Sequence, residues 1–380
     1  MATSLVQKVN ITELLGGLFS HLSERERDVV KRRHKLNKDQ AKRETLEKIG
    51  QDYQVTRERV RQIERDGLRK LQKASQTHTT SQQSLTHLEV TVRDFLKKYG
   101  GVMAEGHLLD EVVAFLGVTT DVGYHKESLA FIISQLLSDK FERVETANHY
   151  VSWKLKETPW EFVEEVIEKM VVLLETNKEP LTADQFLTAL RKQDFYQQIK
   201  GRLAGTMAEF ERDVLDLDAA ILAYVKTSKQ IKQNLFGNVG LSHWPTISPK
   251  RMKDKIYLVM KESGEPLHFT GIAEAINQAS FDKKKALPAT VHNELILDDR
   301  YVLIGRGIYA LREWGYATGT VTDVITTVLA KAGRPLSKDE IVAEVSKQRM
   351  VKQATINLAL MNKDKYRKLS DKTYTLADRG

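Results

Sequence analysis

Apolar residues recur at helical spacing from Val60 through Ile63, Gly67 and Leu68 to Leu71. Glu58, Gln62, Arg65 and Arg69 project from the opposite side. Thr56 stands where an N-cap belongs, its hydroxyl free to accept from an orphan backbone N–H. Upstream, Leu46 and Ile49 give the inner side of a shorter helix, and Gly50 with Gln54-Val55 reads as a loosened turn between the two. Ser23 and Glu26 form a capping-box pattern that opens a helix reaching about Leu36. Before it, Leu14, Leu15, Leu18 and Phe19 make a weakly amphipathic helix. The pattern predicts a helix-turn-helix over residues 44–72 with one buried stripe and one polar face on its second helix.

Residues 74–87 break this periodicity. Ten of the fourteen are Ser, Thr or Gln, too polar to bury a core, so a linker is expected here. Beyond it one outline recurs four times: an apolar helix, a short turn, two more helices and an aromatic β segment. The turns are 99–103, 177–181, 263–267 and 332–336, spaced by 78, 86 and 69 residues. The β segments are 141–155, 231–244, 301–314 and 366–376, the third folding around Gly305-Arg306-Gly307 as a hairpin. Three helices followed by a hairpin outline a winged helix. The expected fold is therefore mainly α, with α+β winged helices. A helix-turn-helix domain (1–74) and a linker (75–87) precede winged-helix-like modules at 88–157, 158–247, 249–316 and 317–380.

Charge sharpens this picture. Of a net +8, residues 1–84 hold 18 Lys/Arg against 11 Asp/Glu, which leaves +1 for the other 296 residues. A positive field gathered on the helix-turn-helix is the footprint expected for duplex phosphates. Lys31, Arg32, Arg33, Lys35, Lys38, Lys42 and Arg43 cluster just before it, either as a solvated face or to position phosphates. On the polar face of the second helix, Arg can pair with guanine, Gln with adenine, and Glu can accept from cytosine.

The run Val-Thr-Arg-Glu-Arg-Val-Arg-Gln-Ile-Glu (55–64), then Gly-Leu-Arg-Lys-Leu (67–71), closely resembles region four of housekeeping-type sigma factors of bacterial RNA polymerase. Residues 22–30 and 45–50 extend the resemblance over roughly 10–73. It implies double-stranded DNA as a partner, through a helix that recognises the promoter −35 element. Arg57, Glu58, Arg61 and Gln62 would read bases. Thr56, Arg59, Arg65, Arg69, Lys42 and Arg43 would lie along the phosphate backbone. It also implies RNA polymerase core as a partner, the earlier half docking on the β-subunit flap; completion of a small core is the other reading of its apolar residues. No aromatic-rich basic helix precedes residue 44, so independent promoter opening is not expected. Residues 249–316 resemble the HARE-type helix-turn-helix, the fold of the N-terminal domain of the RNA polymerase delta subunit, without that subunit's acidic tail. This implies the alternative of a polymerase-associated scaffold whose winged helices bind protein.

Other chemistry is sparse. The absence of Cys removes disulfides and Cys-based zinc sites and suits a reducing cytoplasm. Glu13 interrupts the N-terminal apolar stretch, and no apolar run approaches the roughly 20 residues that span a bilayer. A soluble, cytoplasmic, nucleoid-associated protein without membrane contact is expected. His268 and His292 form no helical ligand pair and read as surface or capping residues. Glu164, Glu165 and Glu168 read as a solvated helix face. No nucleophile elbow, P-loop or metal motif is present, so neither catalysis, metal nor cofactor is expected.

Overall fold

The computed structural model describes residues 9–206 and 216–377. The chain divides into two compact units, residues 1–232 with 239–242 and residues 233–238 with 243–380.

The first unit opens with α1 (Ile11–Phe19), α2 (Glu24–His34), α3 (Leu46–Tyr53) and α4 (Arg57–Thr77). Each start carries a side-chain cap: Asn10, the Ser23/Glu26 capping box, Thr45 and Thr56. Left-handed residues end α2 at Lys35 and α3 at Gln54. Gly50 does not loosen the turn; it lies inside α3. A Cβ there would sit 2.8 Å from the Val55 carbonyl oxygen, so glycine is needed for the turn after α3 to fold back closely on that helix. Gly67 likewise permits close approach of α4 and α2, where a Cβ would meet Val30 Cγ2 at 3.1 Å. Val29, Ile49, Val60 and Ile63 form the small core between them.

The polar stretch expected to be a linker is helical. α4 runs through it to Thr77, and after His78 the chain enters α5 (Thr79–Lys98). Ser75, Ser81 and Leu85 are buried. Ser81, Leu85, Leu88, Val92 and Leu96 return at helical spacing, and the remaining polar residues clothe the outer side. One core therefore joins Leu14, Leu15, Leu18 and Phe19 to Leu71, Ala74, Leu88, Leu129 and Phe131.

The first module comprises α5, β1 (Val102–Ala104), α6 (Glu105–Phe115), α7 (Val122–Phe131) extended by a π-turn, β2 (Phe141–Val144) and β3 (Ser152–Leu155), in the order β1-β3-β2. The second has α8 (Trp160–Asn177), α9 (Ala183–Arg191), α10 (Asp194–Thr206), α11 (Leu217–Thr227), β4 (Ile231–Gln233) and β5 (Val239–Leu241). Its fourth helix departs from the three-helix outline. α11 packs on the first module, and the Tyr224 hydroxyl donates to the Gly100 carbonyl at 2.6 Å. Gly101 (φ +84°) is pressed so close to Thr158 that no side chain fits.

The second unit holds α12 (Met252–Ser263), β6 (Leu267–His268), α13 (Phe269–Ala279), α14 (Pro288–Leu297), β7 (Tyr301–Leu303) and β8 (Ile308–Leu311), ordered β6-β8-β7. Then come α15 (Val321–Ala332), α16 (Lys338–Gln348), α17 (Gln353–Ala359), β9 (Tyr366–Lys368) and β10 (Tyr374–Leu376). His268 caps α13, and Arg349, buried, donates to the carbonyls of Leu303 and Gly319.

The architecture is mainly α with winged-helix-like modules, and one local device recurs. Lys178, Gly264 and Gly333 end their helices in the left-handed region. Proline follows two residues later and leucine after it. That leucine pairs across to the module's closing hairpin: Leu181 with Val239, Leu267 with Tyr309, Leu336 with Tyr374. The left-handed cap turns the chain and proline prevents the helix from continuing.

Candidate nucleic-acid interface

The polar face of α4 is positioned from beneath. The Thr56 hydroxyl accepts from the Arg59 N–H at 3.2 Å, and the Val55 N–H donates to the Gly50 carbonyl at 2.9 Å. Arg32 pulls three segments together: it bonds Glu44 at 2.6 Å and also Asp28 and Asp52. The Tyr53 hydroxyl donates to Asp28 at 2.8 Å. Arg33 reaches the Glu64 carboxylate at 3.2 Å. Burial would raise the Glu64 carboxyl, but His34 and Arg33 outweigh it and hold it below the ordinary value.

With its apolar stripe buried against α2 and α3, the helix turns Arg57, Glu58, Arg61 and Gln62 outward along its first two turns. Arg57, Glu58 and Arg61 are exposed and Gln62 is half-buried. The Arg57 side chain is 69% exposed and pairs with Glu47 at 3.1 Å. Arg61 grips both oxygens of Glu58, at 2.7 and 2.8 Å, and holds that carboxyl below its ordinary value. Arg59 donates to Gln62 at 3.1 Å. These four side chains lie together on the first two turns of α4. Arg65 and Arg69 are exposed farther along the same helix, while Lys42 and Arg43 lie in the coil before α3.

The basic cluster is not a free cationic face. Glu127 of α7 holds Lys35 at 3.1 Å and Arg43 at 3.4 Å, and Asp121 holds Lys38 at 2.6 Å. These pairs and the Arg32 hub escaped sequence reasoning. The pairs join residues 92, 84 and 83 positions apart, and no spacing announces them. Leu14, Leu15, Leu18 and Phe19 are all buried within the chain and contribute to its core.

Residues 18–73 match sigma-70, region 4. That segment carries α2, α3 and α4 as far as Lys73. RNA polymerase sigma factor SigA1 of Synechococcus elongatus is 53% identical over 66 residues, 17% of this chain and 16% of that protein. RNA polymerase sigma factor SigA of Microcystis aeruginosa is 50% identical over 66 residues, 17% of this chain and 15% of that protein. The chain thus spans about a sixth of the length of these relatives. Outside the sigma-70 region 4 segment, no group of three or more His, Cys, Asp or Glu that could hold a metal occurs among the described residues, and none occurs within it. No described helix is long and apolar enough to cross a membrane.

Proposed function

We propose that this chain is a DNA-binding factor in bacterial transcription initiation, reading a −35-like duplex through α4 and working with RNA polymerase core. The observation that carries this reading is the exposure of Arg57, Glu58 and Arg61 on a helix whose other side is buried. The N-terminal turns of such a helix are the part that reaches base edges. Arg57, Glu58, Arg61 and Gln62 act on bases; Thr56, Arg59, Arg65, Arg69, Lys42 and Arg43 lie nearer phosphates. The protein works in the cytoplasm at the nucleoid and performs no catalysis of its own. Titrating a −35-like duplex against a scrambled one tests this. The intact chain should prefer the former, and Arg61→Ala should cost about 1–3 kcal/mol of that preference. Equal affinities for the two duplexes end the promoter reading.

A second reading rests on α14. This helix carries no Lys or Arg, and it ends in Ile296 and Leu297, 62% and 82% exposed. Such a surface suits a protein partner. In this reading residues 249–316 are a HARE-type module of a delta-like, polymerase-associated scaffold. Co-purification with core polymerase after nuclease treatment, without duplex affinity in isolation, would favour it.

A further inference from the structure

The region beyond the helix-turn-helix is only apparently neutral. Residues 85–316 hold 29 Lys/Arg and 33 Asp/Glu, whereas residues 317–380 hold 12 and 7, a net of +5. The last module is therefore a second centre of positive charge, masked in the whole-chain sum by an acidic middle.

Its cations differ from those of the N-terminal domain. There, Arg32, Arg33, Lys35, Lys38, Arg43, Arg57 and Arg61 are paired with the chain's own carboxylates. In the last module Lys352, Lys363, Lys365, Lys368 and Lys372 are exposed, and none makes an ion pair among the described residues. Asp323 lies near enough to Lys365 to be lowered by it, but the lysines still outnumber the acids around them, and holding like charges together on a small fold costs self-repulsion. The cost is recovered when a polyanion binds.

The placement selects the polyanion. Lys352 immediately precedes α17, and Lys363 and Lys365 follow in the turn that leads to β9. Lys368 lies in β9 and Lys372 in the hairpin turn beyond it. α17 is a short helix of seven residues, and the diameter of a helix with its side chains, about 10–12 Å, suits a major groove about 12 Å wide. Cations thus stand before and after a short exposed helix. Between them Ala354, Leu358 and Met361, spaced i, i+4 and i+7, form an outward ridge, with Leu358 70% and Met361 73% exposed. Ile356 and Leu360 hold the other side of the helix in the core. Apolar atoms so placed can rest on thymine methyl groups while the lysines take phosphates on either side.

We propose that residues 317–380 form a second, largely sequence-insensitive site for double-stranded DNA, with α17 at the groove and Lys352, Lys363, Lys365, Lys368 and Lys372 on phosphates. The site stands independently of what α4 reads, and its action is to add salt-sensitive affinity for duplex of any sequence.

The test uses the full chain, the triple variant Lys363→Gln/Lys365→Gln/Lys368→Gln, and the matching triple Lys→Arg variant. Binding to a scrambled duplex is followed by fluorescence anisotropy across a salt series. Each lost phosphate contact lowers the slope of log affinity against log salt by about 0.9, so the Gln variant should lose about 2–3 in slope, and the Arg variant should keep it. All three proteins should retain the same circular dichroism, because the substituted side chains are exposed. An unchanged slope in the Gln variant overturns the proposal. So does selective loss of binding to polyglutamate or to phosphatidylserine vesicles with duplex binding intact, which would assign the patch to an acidic protein or a membrane. The ratio of −35-like to scrambled affinity reports α4 separately. A flat ratio with a reduced slope would end the promoter reading and leave this site standing.

Discussion

In the proposed complex, duplex phosphates and Glu127 would compete for the same cations, Lys35 and Arg43. One oxygen of Glu127 holds Lys35 at 3.1 Å and the other holds Arg43 at 3.4 Å, all three side chains being at least partly exposed. Exposed or half-exposed ion pairs contribute about 0.2–1 kcal/mol each. Releasing both therefore costs about 0.4–2 kcal/mol, and 1.4 kcal/mol is tenfold in affinity. Glu127→Gln keeps the shape of the side chain and removes the competing charge, so it should tighten duplex binding by roughly two- to thirtyfold at about 50 mM salt. Phosphate contacts carry no sequence information, so a −35-like and a scrambled duplex should gain equally. Fluorescence anisotropy with both duplexes measures this, and raising salt should shrink the gain because it screens exposed charges. Unchanged or weaker binding by a variant of native circular dichroism would show that Lys35 and Arg43 are not drawn from Glu127 to the duplex.

Other expectations concern the scaffold. In Gly50→Ala, the better helix former gains about 0.8–1 kcal/mol, but its Cβ would lie 2.8 Å from the Val55 carbonyl. Overpacking of this kind costs about 1–3 kcal/mol, so hydrogen exchange in α3 and α4 should accelerate; slower exchange would mean the contact relaxes freely. Thr56→Ala should lose the cap of α4, about 0.5–2 kcal/mol, and loosen duplex binding, while Thr56→Ser should restore both. Burial, with the Lys226 ammonium next, lowers His107 from 6.5 to about 4. The fold thus favours the neutral ring, and the unfolded chain takes up the proton first on acidification. Its contribution is complete above about pH 6.5 and lost as pH falls toward 4. The urea midpoint of His107→Phe should therefore drop less between pH 7 and pH 5 than that of the parent chain.

The parts legible in the sequence are those set by local rules. Thr56 and the Val60–Leu71 stripe define α4 because capping and helical periodicity act within a few residues. Gly305-Arg306-Gly307 marks the third hairpin for the same reason. The polar run 74–87 was illegible because a helix whose buried stripe includes Ser75 and Ser81 has the composition of a linker. α11 was missed because a buried tyrosine donating to the Gly100 carbonyl requires knowing what lies beside it. The apparent breadth of the N-terminal cationic face failed for a related reason. Lys35, Lys38 and Arg43 find carboxylates more than eighty positions away, and counting charges along a chain cannot reveal which are already neutralised.

The pairing of each module's early segment with its closing hairpin bears on how the protein is made. Val102 must wait for Lys154, Leu181 for Val239, Leu267 for Tyr309 and Leu336 for Tyr374. During synthesis, no module can zip its sheet until the ribosome has released the last stretch of that module. Its helices meanwhile present apolar sides to solvent or to chaperones. Maturation should thus advance in steps, one finished module at a time, and a stalled ribosome would leave a single unfinished module behind a row of completed ones.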